Sequence, residues 1–361
     1  MFKKVVIFFL FIICLYIFNA FLNPFPKRVV PAGFRPNYGT SFSFEQAAWY
    51  GQDSRASFER LISEHKFDWI RVPFFWDQMT DSGGNLKIDD LKFAAETARV
   101  HNTKLIIALG TKTPYFPEYH FPKSVEEKLS YGQTINLNSP VAADILAIDK
   151  KVVIELSGYK SIYAWQVENE ALLANVNGWK ISPDLLAAEV KAVRENDPLR
   201  RPIILNSAGS SVFGSNVKSL IGLLKPGDIL GVNAFFKTQG TYLVSKAVLG
   251  KEIRVPWPKW LVWPVQSWPF ISPDFTEVKK DAESKGLEVW IMEAQAEPYV
   301  RDLNYAKQAD FSFKSSDIEL AVNYLASYRI KSIGLWGANF WQFRESLGDK
   351  SWTAAVSRVV D

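Results

Sequence analysis

From residue 33 onward the chain repeats one pattern eight times, a short apolar run followed by a helical stretch, and nothing else restricts its fold as tightly. The runs are Asn37–Phe42, Trp69–Pro73, Lys104–Leu109, Ile162–Val167, Pro202–Asn206, Asp228–Asn233, Glu288–Glu293 and Ser332–Trp336. Most are continuous and rich in Val, Ile and Leu, as strands buried on both faces are. Between them, helices are predicted over Ser54–Lys66, Ile88–His101, Pro140–Leu156, Ser182–Asn196, Val217–Leu224, Pro273–Lys285, Ser315–Arg329 and Asp349–Val359. Ser182-Pro183 reads as a cap with proline in the first turn, and Ser316 with Glu319 as a capping box. Eight such units in about 330 residues imply a closed (β/α)8 TIM barrel over residues 33–361. An open doubly wound sheet is the alternative for any alternating pattern, and no glycine-rich phosphate loop follows the first run to support it.

Residues 1–32 do not belong to this pattern. Positions 5–18 are uninterruptedly apolar, and the run extends to Leu22 once Asn19 is tolerated. Eighteen helical residues span about 27 Å, close to the roughly 30 Å of a bilayer core. Lys3 and Lys4 precede the run, which orients the N-terminus inside and exports the rest. One transmembrane helix over residues 5–22 is therefore expected, with a linker to residue 32. The competing reading is a cleaved signal and secretion, but Phe18-Asn19-Ala20 sets a bulky residue where the cleavage site needs a small one. Ile13 is likewise too large for a lipoprotein site at Cys14.

The charge of the whole chain, 42 Lys+Arg against 38 Asp+Glu, is +4. Lys3, Lys4, Lys27 and Arg28 supply that excess, and residues 1–32 hold no acid. The barrel is thus neutral, which removes the basic face that nucleic-acid binding requires. The single cysteine lies in the apolar segment, so the exported part is built without disulfides. His65, His101 and His120 are scattered without zinc-ligand spacing. No metal or cofactor is expected. Thirteen tryptophans suit a carbohydrate cleft and suit packing equally. A monomer is the expectation.

Two runs end in glutamate. Residues 163–170 read YAWQVENE and 289–293 read VWIME. In a barrel, the residues that do chemistry sit where strands give way to loops, and a pair of carboxylates there is what glycosidic cleavage requires.

With Asn169 before it, Glu170 resembles the acid/base signature on the fourth strand of clan A glycoside hydrolases, and Glu293 resembles their seventh-strand nucleophile. IRVPFFW (70–76) is similar to the Arg-x-Pro segment of glycoside hydrolase family 5, with Arg71 as its arginine. LWGANFWQF (335–343) is similar to the eighth strand that carries a tryptophan beneath the reacting sugar, which would be Trp336. GTSFSFEQAAWYG (39–51), IIALGTKTPYFPEYHFP (106–122), GDILGVNAFF (227–236) and EAQAEPY (293–299) complete a cellulase-like bacterial pattern. The resemblance implies retention of configuration on a β-linked saccharide or cell-surface glycan. It departs on the sixth strand, where family relatives place a tyrosine or histidine. The nearest tyrosine here is Tyr242, so Asn233 or Lys237 is expected to take that place.

Glu170 must carry a proton to the departing oxygen, and a charge on Glu293 would help hold it there. Asn169 is expected to bind the hydroxyl beside the reacting carbon, with helix capping as its plainer alternative. Glu168 and Glu297 are rival carboxylates. Strict alternation points Glu168 into the barrel, where Arg71 could pair with it, and Glu297 reads as a loop residue near the cleft. Trp336, Trp76, Trp49 and Trp341 are candidate sugar platforms, and His120 a candidate hydroxyl ligand. The stretch VPWPKWLVWPVQSWPF (255–270) is too proline-rich for a helix. It reads as a self-packed loop, a cleft wall or lid, or a membrane-contacting surface. The functional expectation is an extracytoplasmic, membrane-anchored retaining glycosidase. Its alternatives are a transglycosidase and a barrel that binds glycan without cleaving it.

Overall fold

The structure is a computed structural model. It describes residues 13–15, 17–174, 177–208, 216–238, 242–248, 251–256, 258, 261–267, 274–300, 302–308 and 312–361. Eight parallel strands close into a barrel: β1 (Asn37–Ser41), β2 (Trp69–Pro73), β3 (Lys104–Leu109), β4 (Ile162–Val167), β5 (Ile203–Ser207), β6 (Ile229–Ala234), β7 (Glu288–Gln295) and β8 (Ser332–Trp336). Each pairs with its neighbours in sequence, and β1 pairs with β8. The outer layer is α1 (Ser54–Glu64), α2 (Asp89–Val100), α3 (Ala142–Leu156), α4 (Pro183–Asn196), α5 (Val217–Leu223), α6 (Phe275–Glu283), α7 (Asp317–Ala326), α8 (Ala338–Ser346) and α9 (Ser351–Val360).

Local chemistry sets these boundaries. The α4 cap forms as expected, with Ser182 Oγ accepting from the Leu185 amide. The expected capping box on α7 does not form. Ser316 has helical dihedrals and its side chain makes no cap bond, because an N-cap hydroxyl reaches the amides only from an extended backbone. α8 begins inside the run read as a tryptophan-bearing strand. That strand ends at Trp336, and Gly337, at φ 144, turns the chain into the helix.

Alternation along each strand divides the core. Outward residues such as Ile70, Val72, Ile107, Trp165 and Ile291 pack against the helices, while Trp69, Ile106, Ala164, Ile204, Ile229, Trp290 and Met292 fill the barrel. Trp69 and Trp290 stack with ring centroids 5.6 Å apart. Room for Trp69 comes from two glycines: a Cβ on Gly39 would lie 2.0 Å from its ring, and one on Gly334 2.4 Å. A packed aromatic floor thus closes one end of the barrel and leaves the other, where the strands terminate, for the site.

The N-terminal segment follows the outer wall. Residues 17–22 are helical, and Ala20 is buried with its carbonyl accepting from Ser267 Oγ at 3.0 Å. Phe21 meets Trp263 edge-on at 5.6 Å. Phe25 stacks on Phe236 at 5.1 Å, and Arg28 sits 4.1 Å over the Tyr328 ring. Arg35 then donates to the Val360 carbonyl just before β1 begins. Phe236 and Trp263 follow β6 on the site end, whereas Tyr328 lies beyond α7 at the floor end, so the segment descends the full height of the barrel. Half of the expected span over residues 5–22 lies outside the described residues. Among the described residues no helix is long and apolar enough to cross a membrane.

A two-stranded ribbon, Tyr242–Val248 with Lys251–Pro256, follows β6, and Trp263–Pro264 pairs with Lys237–Thr238. The proline-rich stretch therefore begins in a strand. Of its four tryptophans only Trp263 is described; Trp257, Trp260 and Trp268 lie outside the described residues.

Candidate active site

Arg71 is the centre of the open end. It projects inward from β2, two residues above Trp69, and is fully buried. Its Nε donates to Ser41 Oγ at 2.8 Å, Nη1 to Gln166 Oε1 at 3.0 Å, and Nη2 to Glu293 Oε1 at 2.8 Å. A buried guanidinium needs a counter-charge and satisfied donors. The three bonds fan to β1, β4 and β7 and give both.

Glu293 reaches this position through an irregularity in β7. Trp290 and Met292 point inward, so alternation would turn Glu293 outward to the helices. The register between β7 and β6 instead slips between Ile291 and Glu293, and against β8 between Ile291 and Ala294. A bulge of this kind re-aims a side chain, and here it swings Glu293 onto Arg71.

Glu170 lies past the end of β4. Its Oε1 accepts from Asn233 Nδ2 at 2.6 Å, and its amide donates to Asn206 Oδ1 at 2.9 Å. Burial, followed by the Glu293 charge, raises the Glu170 carboxyl to about 7 against the opposing pull of Lys112 and Asn233. The two carboxylates of the sequence reading are thus brought together across the barrel mouth. Asn233, paired in register with Glu293, spans between them.

Asn169 is directed from behind. Its Oδ1 accepts from Asn206 Nδ2 at 2.8 Å and Gln166 Nε2 at 3.2 Å, which leaves the amide nitrogen for the cleft. No helix starts at this residue, so the capping alternative does not apply.

The expectation that Glu168 faces Arg71 is corrected. Glu168 and Glu170 both have left-handed backbones, φ 58 and 51, and alternation ends with the strand at Val167. Glu168 turns back through the wall, where its carboxylate accepts from the Thr111 and Lys112 amides at 2.8 and 2.6 Å. There it meets two buried helix acids, Asp149 of α3 and Glu189 of α4. Burial drives all three carboxyls upward, and the Glu168 and Asp149 charges raise Glu189 further.

The remaining candidates separate. Trp336 is half-buried, 4.5 Å from the Tyr115 ring and 5.8 Å from the Arg71 guanidinium carbon, so it borders the pair. Trp76 and Trp341 are core residues: Trp76 packs on Phe121, and buried Trp341 donates to the Ala296 carbonyl at 2.7 Å. Neither leaves a ring face for sugar. Trp49 is half exposed on the short helix Phe44–Trp49, against Tyr50. His120 is buried, stacked on Phe75 at 3.8 Å with Nδ1 on Asp77 at 3.2 Å. Its Nε2 is buried and has no partner. Lys237 is drawn away from the pair to Asp317 at 2.6 Å. Asn233 stands at the sixth-strand position but serves Glu170. The side chain of Tyr242 lies outside the described residues.

Two groups were missed or undervalued. Glu297 sits in the site, hydrogen-bonded to Trp336, and burial, with a smaller push from the Glu293 charge, raises its carboxyl to about 8. Tyr115 enters from the loop after β3, where its hydroxyl donates to Asn339 Oδ1 at 3.1 Å. Burial raises this phenol well above its usual value, and the Glu297 and Glu293 charges add to the rise while Arg71 opposes it. Its left-handed backbone, φ 84, gives no signal in the sequence. Among the described residues no cluster of His, Cys, Asp and Glu is arranged to hold a metal.

The family model described as Cellulase (glycosyl hydrolase family 5) matches residues 32–236. No curated protein matches the chain. Among solved structures, a family 5 lichenase from a Caldicellulosiruptor species superposes with TM-score 0.51 at 16% identity, covering 93% of this chain and 96% of that one. A family 5 broad-specificity endoglucanase from an uncultured bovine rumen ciliate gives 0.51 at 14%, covering 84% and 85%. A family 5 protein from Streptomyces cattleya in complex with GlcNAc gives 0.52 at 11%, covering 84% and 71%. At such identities these likenesses concern the barrel alone.

Proposed function

Since the chain belongs to glycosyl hydrolase family 5, and is accordingly a glycoside hydrolase, we propose that it cleaves a β-linked saccharide with retention through Glu293 and Glu170. The observation that carries this reading is the asymmetry between two facing carboxylates. Glu293 rests on a guanidinium, while Glu170 is held by an uncharged amide and pushed to about 7. One is supplied with the counter-charge a nucleophile needs, the other kept ready to hold a proton.

In the first step a Glu293 oxygen attacks the anomeric carbon as the glycosidic bond breaks, and the Glu170 proton passes to the departing oxygen. A glycosyl ester on Glu293 results. Glu170, now a carboxylate, takes a proton from water as that water attacks the same carbon, which frees Glu293 and restores the acid. Asn169 is the ligand for the neighbouring hydroxyl and Trp336 the platform beneath the sugar. Mass spectrometry after trapping with fluorosugars of several series tests the assignment. A label on Glu293 supports it, and a label on Glu297 or Glu168 overturns it.

Residues 5–22 serve, in the same reading, as an uncleaved anchor with the N-terminus inside and the barrel on the extracytoplasmic side. Support comes from Lys3 and Lys4 before the apolar run and from the helical, apolar-exposing residues at its described end.

A further inference from the structure

The anchor joins the barrel on the end that carries the candidate site. Ile13, Leu15, Phe18 and Leu22 are 51–64% exposed, an apolar surface that water does not favour. The contacts that fix the helix to the barrel are Ala20 on Ser267 and Phe21 on Trp263, both on the segment after β6. Phe25 is locked to Phe236 only three residues on from Leu22. No length of free chain separates the apolar run from the rim. Phe236 itself follows Asn233, the Glu170 partner, by three residues, about 10 Å of extended chain.

We propose that the cleft opens toward the bilayer its own N-terminal helix enters, and that its substrate is a saccharide carried by a lipid of that bilayer. The proposal rests on the anchor reading above. The floor of stacked tryptophans then points away from the membrane, and a half-buried Trp263 lies at the level where indole favours the interface. A glycan chain in bulk solution must enter between barrel and lipid, whereas a headgroup rising from the bilayer meets the site directly. Confining enzyme and substrate to one surface raises their effective concentration without any new contact.

Two exposed positions on the same side of the barrel report the orientation. Tyr131 lies in the loop after β3 at the site end, and Lys160 precedes β4 at the floor end. The fifteen residues of α3 between them set about 22 Å along the axis. The full-length chain bearing Cys14→Ser and a fluorophore at Tyr131→Cys or Lys160→Cys is reconstituted in phosphatidylethanolamine/phosphatidylglycerol vesicles with nitroxide-headgroup lipid. Expected are flotation with the vesicles and severalfold stronger quenching at position 131 than at 160. A Gly/Ser insertion of about 20 residues between Asn23 and Pro24, with a mean span near 25 Å, combined with Phe21→Ala and Ser267→Ala to release the helix from the barrel, should abolish the difference. Flotation with equal or stronger quenching at 160 overturns the orientation while the anchor stands; failure to float overturns the anchor and the proposal with it. In parallel, a panel of β-linked oligosaccharides is offered free or coupled to dialkylglycerol in the same vesicles. Release from the lipid-borne forms is expected at least tenfold faster, and equal or slower release overturns the substrate class.

Discussion

Glu170 titrates in the range where the enzyme would work, and its surroundings say which way each neighbour moves it. In the proposed role Glu170 must be protonated to act, so kcat/KM should fall on the alkaline side with a limb near pH 7. Asn233→Ala removes a hydrogen bond that favours the carboxylate, so the limb should move to higher pH, and a pH–rate profile on an unactivated substrate reads the shift. Movement to lower pH would contradict the assigned partnership. Replacing Glu170 by Gln should cost about 10²–10⁴ in rate on poor leaving groups, and far less in the first step on dinitrophenyl glycosides. Behind the wall, the buried Glu189 carboxyl lies beside those of Glu168 and Asp149. Glu189→Gln keeps a donor and should fold normally, whereas Glu189→Ala leaves buried acceptors unmet and should cost about 1–3 kcal/mol in a denaturant titration.

At the scale of elements, the strands were plain in the sequence because burial on both faces leaves continuous apolar runs. All eight expected strands match the observed ones to within two residues at either end. What alternation misplaced were the residues after it fails. Glu168 turns outward because two left-handed residues follow Val167, and Glu293 turns inward because β7 bulges. Neither deviation is written in residue type. Tyr115 was overlooked for the same reason, since its place depends on a loop backbone. Glu297 was visible but ranked low, because four residues past a strand said nothing of the Trp336 indole waiting for it. The bulge makes a sharp prediction. Deleting Met292 removes the extra residue but leaves Glu293 two places after Trp290, still inward, so turnover should persist at a reduced level while the melting temperature falls with the lost Met292 packing. Loss of turnover to background with far-UV circular dichroism unchanged would show that the bulge itself sets the place of the Glu293 carboxylate.

Across the whole molecule, two features set stability. The N-terminal segment is part of the barrel wall well before β1. Truncation to begin at Asn23 keeps Phe25 and Arg28 in place, whereas beginning at Val29 removes the Phe25 stack on Phe236 and the Arg28 contact with Tyr328. The longer truncation should lose about 1.5–3 kcal/mol, seen as a lower melting temperature than the shorter one. The buried acids set the pH response. Asp149, Glu168 and Glu189 are all raised by burial, so the folded state binds more protons than the unfolded. Their contribution is complete below the ordinary glutamate range and is lost as pH rises through the folded values. Melting temperature should therefore decline toward alkaline pH, and Glu189→Gln should flatten the decline.

The indole of Trp69 fills the volume that Cβ atoms at positions 39 and 334 would otherwise take, so these three sites cannot vary independently. Alanine at Gly39, which would meet the Trp69 ring, should be tolerated poorly beside tryptophan and well beside leucine, with the deficit of the pair of changes smaller than the sum of each alone, whereas alanine at Gly334 would also meet the Met292 carbonyl at 2.7 Å and should be relieved only in part. Among descendants of this chain, the three positions would drift together or remain still.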